Sequence, residues 1–305
     1  MNKYTLLAIA SAAAITLSGC FSTYTLSIPN EDTPVYTTAV STDAALHTPN
    51  PLWKDASPET SMLEFYIYDG KTVTSQYLSY NTKEKEILST LEASAGIPLK
   101  NWSPDDITAP IYGIDICKKD GLPLQAAWTN GLIILNDGSA YEFNLDTSDW
   151  NERYSFDLPK EFNNMAYFPC ADYLLKTENG WNYDLMTEAV LTEETPKGIT
   201  LEAVSAENNT ITVKYTHNGQ DNNEWLYGTH YAMQAENNGK WYTIPTTSDM
   251  HYAFNDIGLI LMPNQSREEN YSTDMYGILP DGHYRLYANG LTVEFNIADN
   301  KIILQ

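Results

Sequence analysis

Carboxylates, aromatic rings and cysteines are the side chains of this sequence that could do chemistry. Asp105 and Asp106 stand together after Ser103-Pro104. Such a pair could chelate calcium or share the acid and base roles of a glycosidase. The same pair could simply open a helical turn, where negative charge suits the helix dipole. Asp137, Asp146 and Asp149 bring oxygen ligands close together in sequence, but without the D-x-D-x-D-G spacing of a calcium loop. Calcium is the one cofactor that the acidity could support; otherwise none is expected. Of the seven Trp, Trp102, Trp128 and Trp150 lie in or beside loops of the 61–195 region, beside a chain-wide complement of 22 Tyr. Rings of this kind face a ligand by stacking on sugars or anchoring a protein partner, and equally they fill a β-rich core. Cys117 and Cys170 could close a disulfide in an oxidising compartment, contributing roughly 4 kcal/mol. They could also be two buried free thiols.

Familiar catalytic motifs are absent. Ser94 in Glu92-Ala93-Ser94-Ala95-Gly96 lacks the first glycine of a nucleophile elbow, and there is no P-loop and no G-x-G-x-x-G. His47, His217, His230, His251 and His283 show no H-E-x-x-H or other tight metal spacing, and read as surface or turn residues. No catalytic, cofactor-binding or metal-ligating residue is assigned. Seventeen Lys and Arg against 40 Asp and Glu give a net charge of −23. That balance argues against nucleic acid as a partner, and against a polybasic contact with anionic lipid.

The first twenty residues carry the strongest signal. Lys3 is followed by the uncharged, mostly apolar stretch Tyr4–Thr16, too short to span a hydrocarbon core about 30 Å thick and suited to a secretory leader. Leu17-Ser18-Gly19-Cys20 then resembles a bacterial lipobox. The resemblance implies a signal peptide at 1–19, lipid on the Cys20 thiol, and a chain held at the outer face of the cell membrane. An ordinary signal peptide with an incidental cysteine, or an uncleaved anchor, are the alternatives. Loss of Lys3 would leave a mature chain of charge −24, with −13 of it in residues 61–195.

Those residues need elements to position them. Residues 20–60 are rich in Thr, Ser and Pro and read as a tether, reaching roughly 35 Å as a coil. Tyr24–Ile28 alternates and could pair as an edge strand. From 61 to 195 the pattern predicts an α+β domain of antiparallel hairpins with one or two helices. Leu63–Tyr68 and Thr72–Tyr80 flank Asp69-Gly70; Leu132–Leu135 and Ala140–Leu145 flank Asn136-Asp137-Gly138. Ile111–Cys117 reads as a strand turning at Asp120-Gly121. Helices are predicted over Thr82–Ala93, stopped by Gly96-Ile97-Pro98, and over Trp181–Val190.

Thr195-Pro196-Lys197-Gly198 marks a boundary, and 196–305 turns strongly β. Strands are predicted at Ile199–Ala206, Thr210–His217, Tyr231–Glu236, Lys240–Ile244, Arg267–Tyr271, Gly282–Ala288 and Leu291–Ile297, an all-β sandwich. Trp241-Tyr242, Phe254-Asn255-Asp256-Ile257-Gly258 and Tyr276-Gly277-Ile278-Leu279-Pro280-Asp281-Gly282-His283-Tyr284-Arg285 stand in order here. Together they resemble the bacterial immunoglobulin-like domain of low-GC Gram-positive surface proteins, over about 196–298. Tyr284 then sits where a tyrosine corner would pin its hydroxyl to nearby backbone.

Taken together, these features lead to the expectation of an extracytoplasmic, lipid-anchored, non-enzymatic binding or interaction protein. Its ligand would be an envelope glycan or protein, met by the middle domain or by exposed sandwich loops. One alternative is an envelope hydrolase with its site in the middle domain; another is a structural spacer or assembly factor.

Overall fold

The computed structural model describes residues 61–78, 90–91, 95–118, 124–129, 131–143, 160–162, 164–191, 193–220, 223–249, 252, 254–255 and 257–305. All lie within one compact unit. Residues 1–60, with Cys20 and the tether, fall outside this set.

The first half is built on one antiparallel sheet. Its strands are β1 (Ser61–Tyr68), β2 (Val73–Leu78), β3 (Ala95–Pro98), β4 (Ile111–Lys118), β5 (Leu124–Thr129), β6 (Gly131–Leu135), β7 (Ala140–Phe143) and β8 (Lys160–Phe162). They lie in the order β3-β7-β6-β5-β4-β1-β2-β8. The Asp69-Gly70 turn forms as its residue types require. The Asp69 carboxylate accepts from the Lys71 and Thr72 amides at 2.8 and 2.7 Å, and Gly70 takes φ +99°.

Both faces of this sheet are covered. Phe65, Ile114, Trp128, Ile133 and Phe143 pack on one side around Leu91. Tyr66, Ile111, Ala127 and Ile134 pack on the other, against Met165, Phe168 and Leu174. A strand buried on both sides has no polar face to alternate, so Leu132-Ile133-Ile134-Leu135 is continuously apolar. Gly113 is where the covering segment presses closest, since a Cβ there would meet Phe168 Cε1 at 2.8 Å.

Helix is sparser than the sequence pattern predicts. Of Thr82–Ala93 only Thr90 and Leu91 are described, and both are helical. Gly96-Ile97-Pro98, read as a stop, belongs to edge strand β3, where a proline is tolerated. Trp181–Val190 is not a helix. The helix comes earlier, as α1 (Ala171–Leu175), and leads into a tight ribbon of β9 (Lys176–Thr177) and β10 (Gly180–Trp181). Beyond Met186 the chain extends, because its backbone is used elsewhere: the Ala189 amide donates to Trp241 O at 2.7 Å, and Glu188 bridges to Tyr242.

The second half carries β11 (Ile199–Glu207), β12 (Thr210–His217), β13 (Trp225–Tyr227), β14 (Ala232–Asn237), β15 (Lys240–Thr243), β16 (Leu259–Leu261), β17 (Ser266–Ser272), β18 (Gly282–Ala288), β19 (Leu291–Ala298) and β20 (Lys301–Leu304). One sheet is β11-β12-β17 and the other β15-β14-β18-β19-β20, with β13 and β16 as a separate ribbon. Asn208-Asn209, Asn238-Gly239, Asn289-Gly290 and Asp299-Asn300 all hold positive φ, the conformation that tight hairpins demand. Inward residues alternate along β12, where Ile211, Val213 and Tyr215 are fully buried, and meet Met233, Leu286 and Phe295. The tyrosine corner forms: Tyr284 Oη donates to Pro280 O at 2.7 Å.

The two halves share a core. Apolar packing runs unbroken from Tyr66 and Ile134 through Phe168, Leu175 and Trp181 to Tyr284 and Phe295. Trp181 Nε1 donates to the Tyr284 hydroxyl at 3.1 Å, in contact with the corner itself. The Asp172 carboxylate accepts from the Ser248 amide at 3.1 Å and also from its hydroxyl. Lys176 Nζ donates to Ile278 O.

Candidate ligand cleft

Among the described residues, a concavity lies on the sandwich, where the β13–β16 ribbon meets β17. It is a half-open cleft of about 260 Å³ walled by Tyr231, Phe254, Leu259 and Tyr271, with Thr229, Asn255, Glu269 and Asn270 supplying polar groups. Its floor is held by a hydroxyl network. Tyr215 Oη and Tyr271 Oη lie 2.9 Å apart, and Asn289 Nδ2 donates to Tyr215 Oη at 3.2 Å. The Asn289 side chain also closes on Gly228, accepting from its amide at 3.0 Å and donating to its carbonyl at 3.2 Å. The Asn289-Gly290 hairpin thus fixes the rim of the cleft.

The rings are locked by their polar ends. Tyr231 Oη donates to Ser272 O at 2.6 Å, and its ring meets Tyr271 at 4.8 Å and Phe254 at 5.2 Å. Trp225 stacks on Tyr227 at 4.5 Å, behind the cleft. Burial, and then Asp274, push the Tyr231 phenol up to about 12. Burial raises Tyr271 further, reinforced by Tyr215. These phenols are therefore neutral donors at physiological pH. Glu269 faces two donors: Arg267 Nε at 2.6 Å and Tyr227 Oη at 3.0 Å. Its charge is compensated within the protein.

A second polar group is enclosed in the first sheet. Glu64 and Asp115 are cross-strand partners on β1 and β4, and Asp115 pairs in turn with Gln125 on β5. Ser75 Oγ donates to Glu64 Oε1 at 2.5 Å, Gln125 Nε2 donates to Asp115 Oδ2 at 3.2 Å, and the Cys170 amide donates to Gln125 Oε1 at 3.2 Å. Asp115 Oδ1 is buried without a partner. Burial pushes the Asp115 carboxyl up to about 7; Gln125 opposes the shift and the Glu64 charge adds to it.

The aromatic residues singled out by sequence fare differently. Trp128 is 2 % exposed and sits among Phe65, Tyr112 and Phe143, with ring centroids 5.9–6.0 Å away. Its ring lies inside a covered face of the sheet rather than at a surface. Trp102 is half-buried against the larger core, and Trp150 lies outside the described residues. Asp105 and Asp106 form a 3₁₀ turn capped by Ser103, whose Oγ accepts from the Asp105 amide at 3.2 Å while its own amide donates to Asp106 Oδ2 at 3.1 Å. Asp137 closes its hairpin turn on Ser139. Asp146 and Asp149 lie outside the described residues. Among those described, no group of three His, Cys, Asp or Glu could hold a metal ion.

Cys170 is a buried free thiol whose Sγ lies 3.7 Å from Ile134 O, and burial raises its pKa well above the ordinary value. The Cys117 side chain, its expected partner, lies outside the described residues. His217 is a correction: it is buried rather than at the surface. Its Nδ1 accepts from the Gly219 amide at 3.2 Å, so Nε2 donates to Asn223 O at 3.0 Å. His230 packs its ring 4.8 Å from Phe254, and burial lowers its pKa. His283 lies 3.3 Å from Glu294. His47 and His251 fall outside the described set.

Sequence reasoning passed over Tyr231, Phe254, Glu269 and Tyr271 because they sit in strands and loops separated by up to forty residues. Glu64 and Asp115 had a readable signal: each is an acid inside an otherwise apolar strand, Leu63–Tyr68 and Ile111–Cys117.

Residues 196–297 match the family described as bacterial Ig-like domain. The C-terminal β-sandwich is therefore an Ig-like domain, and the match begins at the Pro196 boundary. No curated protein and no solved structure matches the chain.

Proposed function

We propose that this is a lipid-anchored protein of the bacterial cell surface that binds an envelope glycan or protein through the cleft of its Ig-like sandwich, without catalysing a reaction. The cleft carries the reading: three aromatic walls, fixed hydroxyls and the Asn255 carboxamide in one concavity suit recognition. Leu17-Ser18-Gly19-Cys20 supports the anchor, with a diacylglyceryl thioether on Cys20 after removal of 1–19. The α+β half acts as the rigid base, since its core is continuous with the sandwich. The enclosed Glu64–Asp115 pair does not favour a hydrolase, because paired carboxylates must flank a bond they can reach. The test is co-sedimentation of the mature chain with bacterial envelopes, with mass spectrometry of the N-terminus. Retention together with a lipid-modified Cys20 is expected. An unretained chain would overturn the binding reading, and an unlipidated N-terminus would overturn the anchor.

A further inference from the structure

We infer that the sandwich cleft takes an extended, basic segment of an envelope protein, which adds as a strand to the open edge of β17. The assignment rests on the binding reading above and narrows it. The edge is open because of where β16 goes. β16 precedes β17 through a turn closed by the Gln265 amide, which donates to Met262 O at 3.1 Å. A hairpin partner would run back along β17 from that turn. Instead β16 pairs with β13, and among the described strands β17 pairs only with β12.

Register fixes which backbone groups that edge presents. At the two ends of the β12–β17 ladder, the His217 amide donates to Gln265 O at 2.9 Å and the Thr273 amide donates to Asn209 O at 2.7 Å. The pairing between them has no register shift, so the bonds to β12 fall on Arg267, Glu269 and Tyr271. Ser266, Glu268 and Asn270 turn their amides and carbonyls the other way. Ser272 O points the same way and is already taken by the Tyr231 hydroxyl at 2.6 Å. The Asn270 side chain bonds to Thr212 Oγ1 at 2.8 Å on the outer face, so what this residue offers the cleft is its backbone. A row in which each residue presents a donor and an acceptor side by side is what another strand's backbone meets. An added strand continues the pleat and directs alternate side chains inward, to the walls formed by Tyr231, Phe254 and Leu259.

Charge selects the kind of segment. Glu268 is exposed and has no ion-pair partner among the described residues, whereas Arg267 is spent on Glu269 at 2.6 Å. Asp274 lies near enough to raise the Tyr231 phenol, and Asp256, beside Asn255 in the sequence, is a further acid. A segment bearing lysine or arginine complements these groups. A second copy of the chain does not, because its net charge is −23 and its β17 carries the same two glutamates. Residues 20–60 are disfavoured on the same ground, with Lys54 set against Glu31, Asp32, Asp43, Asp55 and Glu59.

The experiment measures retention of the mature full chain by isolated envelopes, untreated and protease-treated. Asn270→Pro, Asn270→Ala and Glu268→Lys are measured beside the wild type, with circular dichroism to confirm folding. Asn270→Pro removes an amide that faces away from β12, a change that an edge strand tolerates, while Asn270→Ala removes only the side chain. Expected is retention by untreated envelopes that protease abolishes, weakened about tenfold by Asn270→Pro and by Glu268→Lys and little changed by Asn270→Ala. Retention that survives protease would overturn the peptide assignment in favour of a glycan and leave the binding reading standing. Equal retention of the proline and alanine variants would overturn the strand pairing, and stronger retention of Glu268→Lys would overturn the basic character of the partner. A wild-type dimer in sedimentation that Asn270→Pro dissociates would overturn the assignment in favour of a second copy. No retention of the wild type would overturn the binding reading and this inference with it.

Discussion

Tyr284 joins the family motif to the rest of the molecule. Its hydroxyl donates to Pro280 O and accepts from Trp181 Nε1, and Trp181 is buried. Tyr284→Phe removes one oxygen and strands a donor and an acceptor, which costs about 1–3 kcal/mol. Urea unfolding of the full chain should show that loss, and an unchanged midpoint would mean that the corner contributes nothing. Asp115 is expected to act through pH. Its pKa in the folded protein is raised to about 7 from an ordinary value of 3.8, so the folded state binds the proton more tightly than the unfolded chain. Stability from this group is fully present below about pH 4 and is lost as pH rises through 7. At 1.36 kcal/mol per unit the shift amounts to roughly 4 kcal/mol at most. Asp115→Asn should therefore flatten the fall in stability between about pH 4 and 7, as read by denaturant midpoints. A variant that kept the wild-type slope would exclude Asp115 as its source.

At the scale of elements, the hairpins show how far local sequence reaches. The Asp69-Gly70 and Asn289-Gly290 turns, the alternation of Thr210–His217 and the Pro280–Tyr284 corner were all legible, because each is specified by neighbouring residues. Trp181–Val190 was misread as a helix. The backbone there bonds instead to Trp241 and Tyr242, which lie some fifty positions away. The cleft was illegible for the same reason, since it joins Tyr231, Phe254 and Tyr271 across three separate segments. Trp128 looked like a loop residue until the other strands closed over it. Gly113 offers a test of that closure. A Cβ there would come within 2.8 Å of Phe168, so Gly113→Ala should lower stability by about 1–3 kcal/mol by overpacking. Calorimetry returning a wild-type melting temperature would mean that the covering segment yields freely.

For the whole molecule, the shared core makes a definite claim about cooperativity. Packing continues from the first sheet through Phe168, Leu175 and Trp181 into the sandwich, and Asp172, Lys176 and Glu188 bond across the same seam. The chain should melt in one calorimetric transition rather than two. Trp181→Ala, which opens the seam, should separate the transitions; two transitions already in the wild type would show independent halves. A rigid base of this kind suits the proposed role, in which the cleft is presented from a lipid on Cys20. The central claim is that the cleft binds an envelope component. Its most direct measurement is the affinity of the mature chain for isolated envelopes, compared with Phe254→Ala, which removes one aromatic wall of the cleft. The account predicts retention of the wild type and at least about a tenfold loss in the variant, equivalent to roughly 1.4 kcal/mol. Equal retention of the two would contradict it.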